Sequence, residues 1–100
     1  MSEDPKFYRT ETAVCTIENK DSTGAYVDPA TGVTVSVYDP YGTAVVTDAP
    51  ATKDAVGKYH YDYTSAADAL LGRYVAIAKI TDGSRITYKK SAFYIEALNA

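Results

Sequence analysis

Three stretches of the chain alternate apolar and polar residues at every step, and this constrains the fold more than any motif does. In Val33–Tyr38, Val33, Val35 and Val37 fall on one side and Thr34, Ser36 and Tyr38 on the other. In Thr12–Glu18 the apolar side is Ala13, Cys15 and Ile17. In Lys58–Thr64 it is Tyr59, Tyr61 and Tyr63, opposite Lys58, His60 and Asp62. Side chains that change face at each residue belong to an extended strand with one face buried. A helix would instead need apolar positions three and four apart. These segments are therefore predicted as half-buried strands.

What lies between them marks bends. The glycines, at 24, 32, 42, 57, 72 and 83, all fall between apolar runs and none inside one, as expected where turns need positive φ. In Asp39-Pro40-Tyr41-Gly42, Pro40 presets φ, Asp39 can accept from the turn amides and Gly42 closes a β-turn. Ala44–Thr47 then returns as a short strand, and Pro50 argues against a long continuous one. Arg73–Ile80 is the most apolar run and is placed centrally. Asp82-Gly83 is predicted to make the next hairpin turn, with positive φ at both residues. Ser84–Glu96 follows as a long last strand. Its Lys89-Lys90-Ser91 interruption is expected to form a bulge that brings Ile86 and Tyr88 into phase with Phe93 and Ile95. Ser65–Leu71 suits a short helical crossover, with Ser65 as cap, Gly72 as stop and Leu70 or Leu71 as its apolar foot. The predicted fold is an all-β antiparallel sandwich of about seven strands with that one crossover, in a single domain. Residues 1–6 and 98–100 are expected to be mobile or partner-bound ends.

Composition narrows the function classes. With 100 residues and 46% hydrophobic content the chain can bury a core. A net charge of −3 with one adjacent basic pair, Lys89-Lys90, argues against nucleic acid as a direct partner. That pair reads as a solvated strand edge. No apolar run is long enough to span a membrane as a helix, and the polar, acidic start does not resemble an export signal. The single cysteine, Cys15, excludes an internal disulfide and reads as a small buried hydrophobe. The single histidine, His60, excludes a multi-histidine zinc site. Glu18, Asp21 and Asp28 could contribute oxygen ligands to a calcium site, but they lack a ligand-loop spacing and read better as turn residues. No nucleophile or phosphate-loop motif occurs, so no catalytic residue, metal or cofactor is expected.

In Leu70-Leu71-Gly72-Arg73-Tyr74 a tyrosine follows a glycine by two residues at the start of the central strand. This resembles the tyrosine corner of immunoglobulin-like sandwiches, and implies that the Tyr74 hydroxyl returns to backbone in the preceding crossover. The ordered combination of "FYR", "YVDPATG", "YDPYG", "GKYHY", "GRY" and "TDGS" is similar to small proteins of tailed-bacteriophage structural gene clusters. It also resembles a macroglobulin-type domain of large bacterial surface proteins. The first resemblance implies a non-enzymatic virion component on the head surface or at the head–tail neck. Such a protein would be made in the host cytoplasm and would contact capsid, portal or connector proteins and further copies of itself. Tyr38, Lys58, His60 and Asp62 would form its outward contact patch. Two alternatives stand beside it: a carbohydrate- or host-surface-binding adhesin module, for which a shallow groove lined by tyrosines and carboxylates is expected, and an excised domain of a bacterial surface protein.

Overall fold

The computed structural model describes residues 5–97, which form eight strands in two layers. The strands are β1 (Lys6–Tyr8), β2 (Thr12–Glu18), β3 (Gly32–Tyr38), β4 (Ala44–Pro50), β5 (Thr52–Ala55), β6 (Lys58–Thr64), β7 (Gly72–Asp82) and β8 (Arg85–Glu96). A five-stranded sheet has the order β1-β8-β7-β3-β4 and a three-stranded sheet the order β2-β6-β5. All pairs are antiparallel except β1, which lies parallel to β8 with Lys6, Phe7 and Tyr8 opposite Tyr94, Ile95 and Glu96. The chain is thus an all-β sandwich.

The alternating residues meet between the sheets. Val33, Val35 and Val37 of β3, Tyr74, Ala76, Ala78 and Ile80 of β7, and Phe93 and Ile95 of β8 face Ala13, Cys15 and Ile17 of β2. Tyr59, Tyr61 and Tyr63 of β6 pack against the same core while staying partly exposed, as suits a ring with a polar tip. One end of the core is aromatic. Tyr74 stacks on Phe93 at 5.5 Å between centroids, and Phe7 meets Phe93 edge-on at 6.0 Å. Each large side chain fully buried here contributes about 1.5–3 kcal/mol.

Five expectations are corrected. Where about seven strands were expected there are eight, because β1 and β5 add short edge strands; β5 is exposed throughout and carries no alternation to read. No helix forms over Ser65–Leu71. The segment holds one turn, Ala69 N to Ala66 O, and its other polar groups go to tertiary partners. The Ser65 hydroxyl accepts from Thr10 N at 3.0 Å, the Ala69 carbonyl from Arg9 Nε at 2.7 Å and the Leu70 carbonyl from the Tyr74 hydroxyl at 2.7 Å. Leu70 and Leu71 are exposed rather than anchored. The β7–β8 register runs unbroken from Asp82↔Arg85 to Gly72↔Ile95, so Lys89-Lys90-Ser91 makes no bulge. Ile86 and Tyr88 stay on the face opposite Phe93 and Ile95. The irregular pairing lies between β3 and β4 instead, where Asp48 takes φ 48°, and β4 still reaches Pro50, tolerated because no strand pairs with its outer edge. Lastly, Asp82 pairs with Arg85 and closes the hairpin, so that of Asp82 and Gly83 only Gly83 has positive φ, 65°. Positive φ at the first central residue alone is the type II′ pattern.

Lys6, expected in a loose end, opens β1. Of the expected mobile ends, residues 1–4 and 98–100 lie outside the described residues.

Candidate functional site

The outer face of the five-stranded sheet carries a shallow depression. Its floor and walls are Ser36 and Tyr38 of β3, Asp48 of β4, Ile77 and Lys79 of β7, and Tyr88 and Lys90 of β8. The register explains how they meet. Ser36 lies opposite Ile77 and Ile77 opposite Lys90, while Lys79 lies opposite Tyr88. Residues so aligned project from one face and touch. The unbroken alternation of β8 is what places Tyr88 and Lys90 here, and Tyr88 is 63% exposed.

Asp48 arrives by a different route. The left-handed backbone at this residue breaks the β3–β4 ladder, and its amide donates to the Ser36 hydroxyl at 3.0 Å. An extra residue in one strand re-aims a side chain, and here it sets a carboxylate beside two tyrosines and two lysines. Such a surface offers aromatic faces, one anionic acceptor and two cationic donors within a few strand spacings. This is a binding chemistry for a polar, flat ligand.

The four residues expected to form one contact patch are not brought together. Tyr38 lies on the outer face of the five-stranded sheet. Lys58, His60 and Asp62 lie on the outer face of the three-stranded sheet, on the other side of the sandwich. Alternation assigns a side chain to a face of its own strand, and strand order then decides which sheet that face belongs to. Around His60 the contacts are structural. Its Nδ1 lies 2.7 Å from Asp54 Oδ1 and its Nε2 lies 3.9 Å from Asp62. The Asp54 hydrogen bond holds the imidazole pKa above its ordinary value. The Lys58 ammonium sits 4.6 Å from the Tyr26 ring centroid, a cation–π contact at the surface.

The remaining expected residues hold turns and the corner. Asp39 Oδ1 accepts from the amides of Tyr41 and Thr43, both at 2.9 Å, and Gly42 N donates to Asp39 O around Pro40. Asp82 Oδ1 accepts from Ala30 N. Gly72 opens β7, and two residues on, the buried Tyr74 makes its bond to Leu70 O, the corner geometry expected of it.

Asp21 and Asp28 serve loops. Thr23 and Ala25 donate to Asp21, which lowers its pKa, chiefly through the Thr23 hydroxyl. Asp28 accepts from Lys53 Nζ at 2.6 Å and from Gly57 N at 2.8 Å, and the Lys53 bond leads the lowering of its pKa. Among the described residues no three His, Cys, Asp or Glu side chains form a metal-ligating group. The buried Cys15 thiol is pushed up in pKa by desolvation, which keeps it protonated and a poor nucleophile.

Ser36, Asp48, Ile77, Lys79, Tyr88 and Lys90 were not among the expected site residues. The signal for Tyr88 and Lys90 was present: read without a bulge, Arg85–Glu96 places 86, 88 and 90 on one face. Nothing in the sequence signals the left-handed Asp48.

No protein-family model matches the chain, and no curated protein does. Among solved structures, the chain resembles the crystal structure of CopC from Methylosinus trichosporium OB3b, with a TM-score of 0.63 and 16% identity. The match covers 97% of this chain and 87% of that one. At this identity the likeness shows a shared β-sandwich fold. It also corrects the expectation of a tailed-phage virion component. The solved structure matched is CopC, from a bacterium, and not a phage head or neck protein.

Proposed function

We propose that this chain is a non-enzymatic recognition domain of a bacterial surface protein, binding carbohydrate on the outer face of its five-stranded sheet. The observation that carries the proposal is the depression of Tyr38, Tyr88, Ile77, Ser36, Asp48, Lys79 and Lys90. Sugar rings present C–H groups on one face and hydroxyls at their rim. The C–H face lies against the electron-rich face of a tyrosine ring, and the hydroxyls bond to carboxylate, ammonium and Ser groups. Two lysines against one aspartate favour an acidic sugar, such as a uronate. Among the described residues Asp48 is the one carboxylate lining the depression, whereas glycoside hydrolysis takes two carboxyl groups facing each other across the scissile bond. This supports binding without turnover.

The test is calorimetric titration of the domain with oligogalacturonate and, as a neutral counterpart, cello-oligosaccharide. Oligogalacturonate binding that falls about tenfold or more in Tyr88→Ala and Tyr38→Ala supports the proposal, because each removes a stacking surface. Equal binding by those variants, or no heat from either sugar, overturns it.

A further inference from the structure

The last strand has an edge along which, among the described residues, only β1 pairs, and only at its far end. β1 pairs only with Tyr94–Glu96, and from Arg85 to Ala92 no described residue pairs with the edge of β8 that faces away from β7. The direction of its free groups follows from parity. Tyr94 N donates to Pro5 O and Glu96 O accepts from Arg9 N, both on the β1 side. In an antiparallel strand, alternate residues direct both N–H and C=O to the same side. The backbone groups of Ile86, Tyr88, Lys90 and Ala92 therefore point outward from this edge, as a row of donors and acceptors 3.4 Å per residue apart.

Beneath the edge the sandwich is open. A cavity of about 80 Å³ lies between β8 and β2, with Cys15, Ile17, Ala76 and Ala78 as its apolar lining and Lys89 and Ser91 as its lip. Arg85, Lys89 and Lys90 give the edge a positive charge, with Lys79 beside Tyr88, and Arg85–Ile95 contains no acidic residue. The one carboxylate that β2 carries is Glu18, which accepts from the Tyr26 hydroxyl.

We propose that this edge takes an extended acidic segment of a partner protein as an added strand. Main-chain bonds to the outward-pointing residues of β8 supply the register. Alternate apolar side chains of the guest enter the cavity beneath Lys89, and its carboxylates lie against Arg85, Lys89 and Lys90. Strand addition at a sheet edge draws affinity from the main chain and selectivity from such alternate pockets. The same lysines disfavour a second copy of this chain. A β8–β8 pair would set cation against cation, and like charges directly opposite are destabilising; lysine on an edge strand is a recurrent guard against self-pairing. The charge thus selects the guest. This site adjoins the outer-face depression and shares Tyr88 and Lys90 with it, but the peptide probes and the sugars test the two ligands independently.

The probes are two capped octapeptides, one alternating Glu and Val and the other Lys and Val, added to the 15N-labelled chain. The readout is amide hydrogen exchange. With the Glu/Val peptide, exchange at Ile86, Tyr88 and Lys90 is expected to slow by about tenfold or more, as these amides gain acceptors. The Lys/Val peptide is expected to leave them unchanged. Lys89→Glu should weaken Glu/Val binding about tenfold. Ile86→Pro, which removes one outward N–H, should weaken it while Ile86→Thr binds as the parent does. Unchanged exchange at saturating Glu/Val peptide, equal protection by both peptides, or equal binding by Lys89→Glu overturns the proposal. So does protection of the same amides without peptide, accompanied by dimer formation in light scattering, because the occupant is then a second copy.

Discussion

The two halves of β8 share one strand and one register yet live in different surroundings. In the second half, Phe93 and Ile95 are buried beneath the three-stranded sheet and β1 pairs the edge at Tyr94–Glu96. In the first half, Thr87, Lys89 and Ser91 occupy the equivalent inward positions, and every residue from Arg85 to Ser91 is exposed. Ile80 of β7, opposite Thr87, is buried, so the cover of the three-stranded sheet reaches β7 at this level and stops short of β8. Where it stops, the sequence changes from Phe and Ile to Thr, Lys and Ser on the inward side. A strand can therefore serve as core at one end and as interaction edge at the other without any break in its backbone.

The sharpest break of this contrast is Phe93→Ala. It removes the ring that stacks on Tyr74 and meets Phe7 and Tyr63, and should cost about 3–5 kcal/mol in urea unfolding. Thr87→Ala, an inward position of the other half, should fall within about 0.5 kcal/mol of the parent. Comparable losses from the two would erase the distinction. Next in size is Tyr74→Phe, which keeps the buried ring but leaves the Leu70 carbonyl without its donor. We expect a loss of about 1–3 kcal/mol in the same measurement. Ile86→Thr, on the exposed half, should change stability by no more than about 0.5 kcal/mol, with the β-branched shape retained. A larger loss would mean that the outer face is packed in the free chain.

The smallest effect lies on the other sheet and serves as a control. NMR titration of His60 should give a midpoint above about 6.5, moving down toward that value in Asp54→Asn. The sign follows from the raised folded pKa. The stabilisation from the His60–Asp54 contact is fully present below the unfolded histidine pKa, and it is lost as pH rises through the folded one. The amides of Arg85–Ser91 should not shift across this titration; if they do, the two faces are coupled.

Much of the fold was legible because alternation is a local property with a global cause. Val33, Val35 and Val37, Ala13, Cys15 and Ile17, and Tyr59, Tyr61 and Tyr63 all point where their period places them. The same rule misled at Lys89-Lys90-Ser91. A bulge was invoked to keep Ile86 and Tyr88 inside, on the premise that apolar residues must be buried. Exposed apolar residues are ordinary, and contiguous ones mark binding surfaces. The helix expected over Ser65–Leu71 failed for another reason. Alanine and leucine favour helix only weakly, and the segment's polar groups are claimed by Thr10, Arg9 and Tyr74, far off in sequence or across the corner. The candidate site was least legible, because its residues come from four strands and one of them depends on the left-handed backbone of Asp48.

The parallel pairing of β1 with β8 fixes how the domain bears tension. The chain enters this pair at Lys6, opposite Tyr94, and leaves it beyond Glu96, opposite Tyr8. Because the strands run the same way, pulling on both ends drags them past each other lengthwise. The rungs between them, including Tyr94 N to Pro5 O and Arg9 N to Glu96 O, are then loaded in shear and resist together instead of unzipping one by one. A domain anchored in this way yields abruptly, at a force set by the short β1–β8 clasp rather than by the whole core.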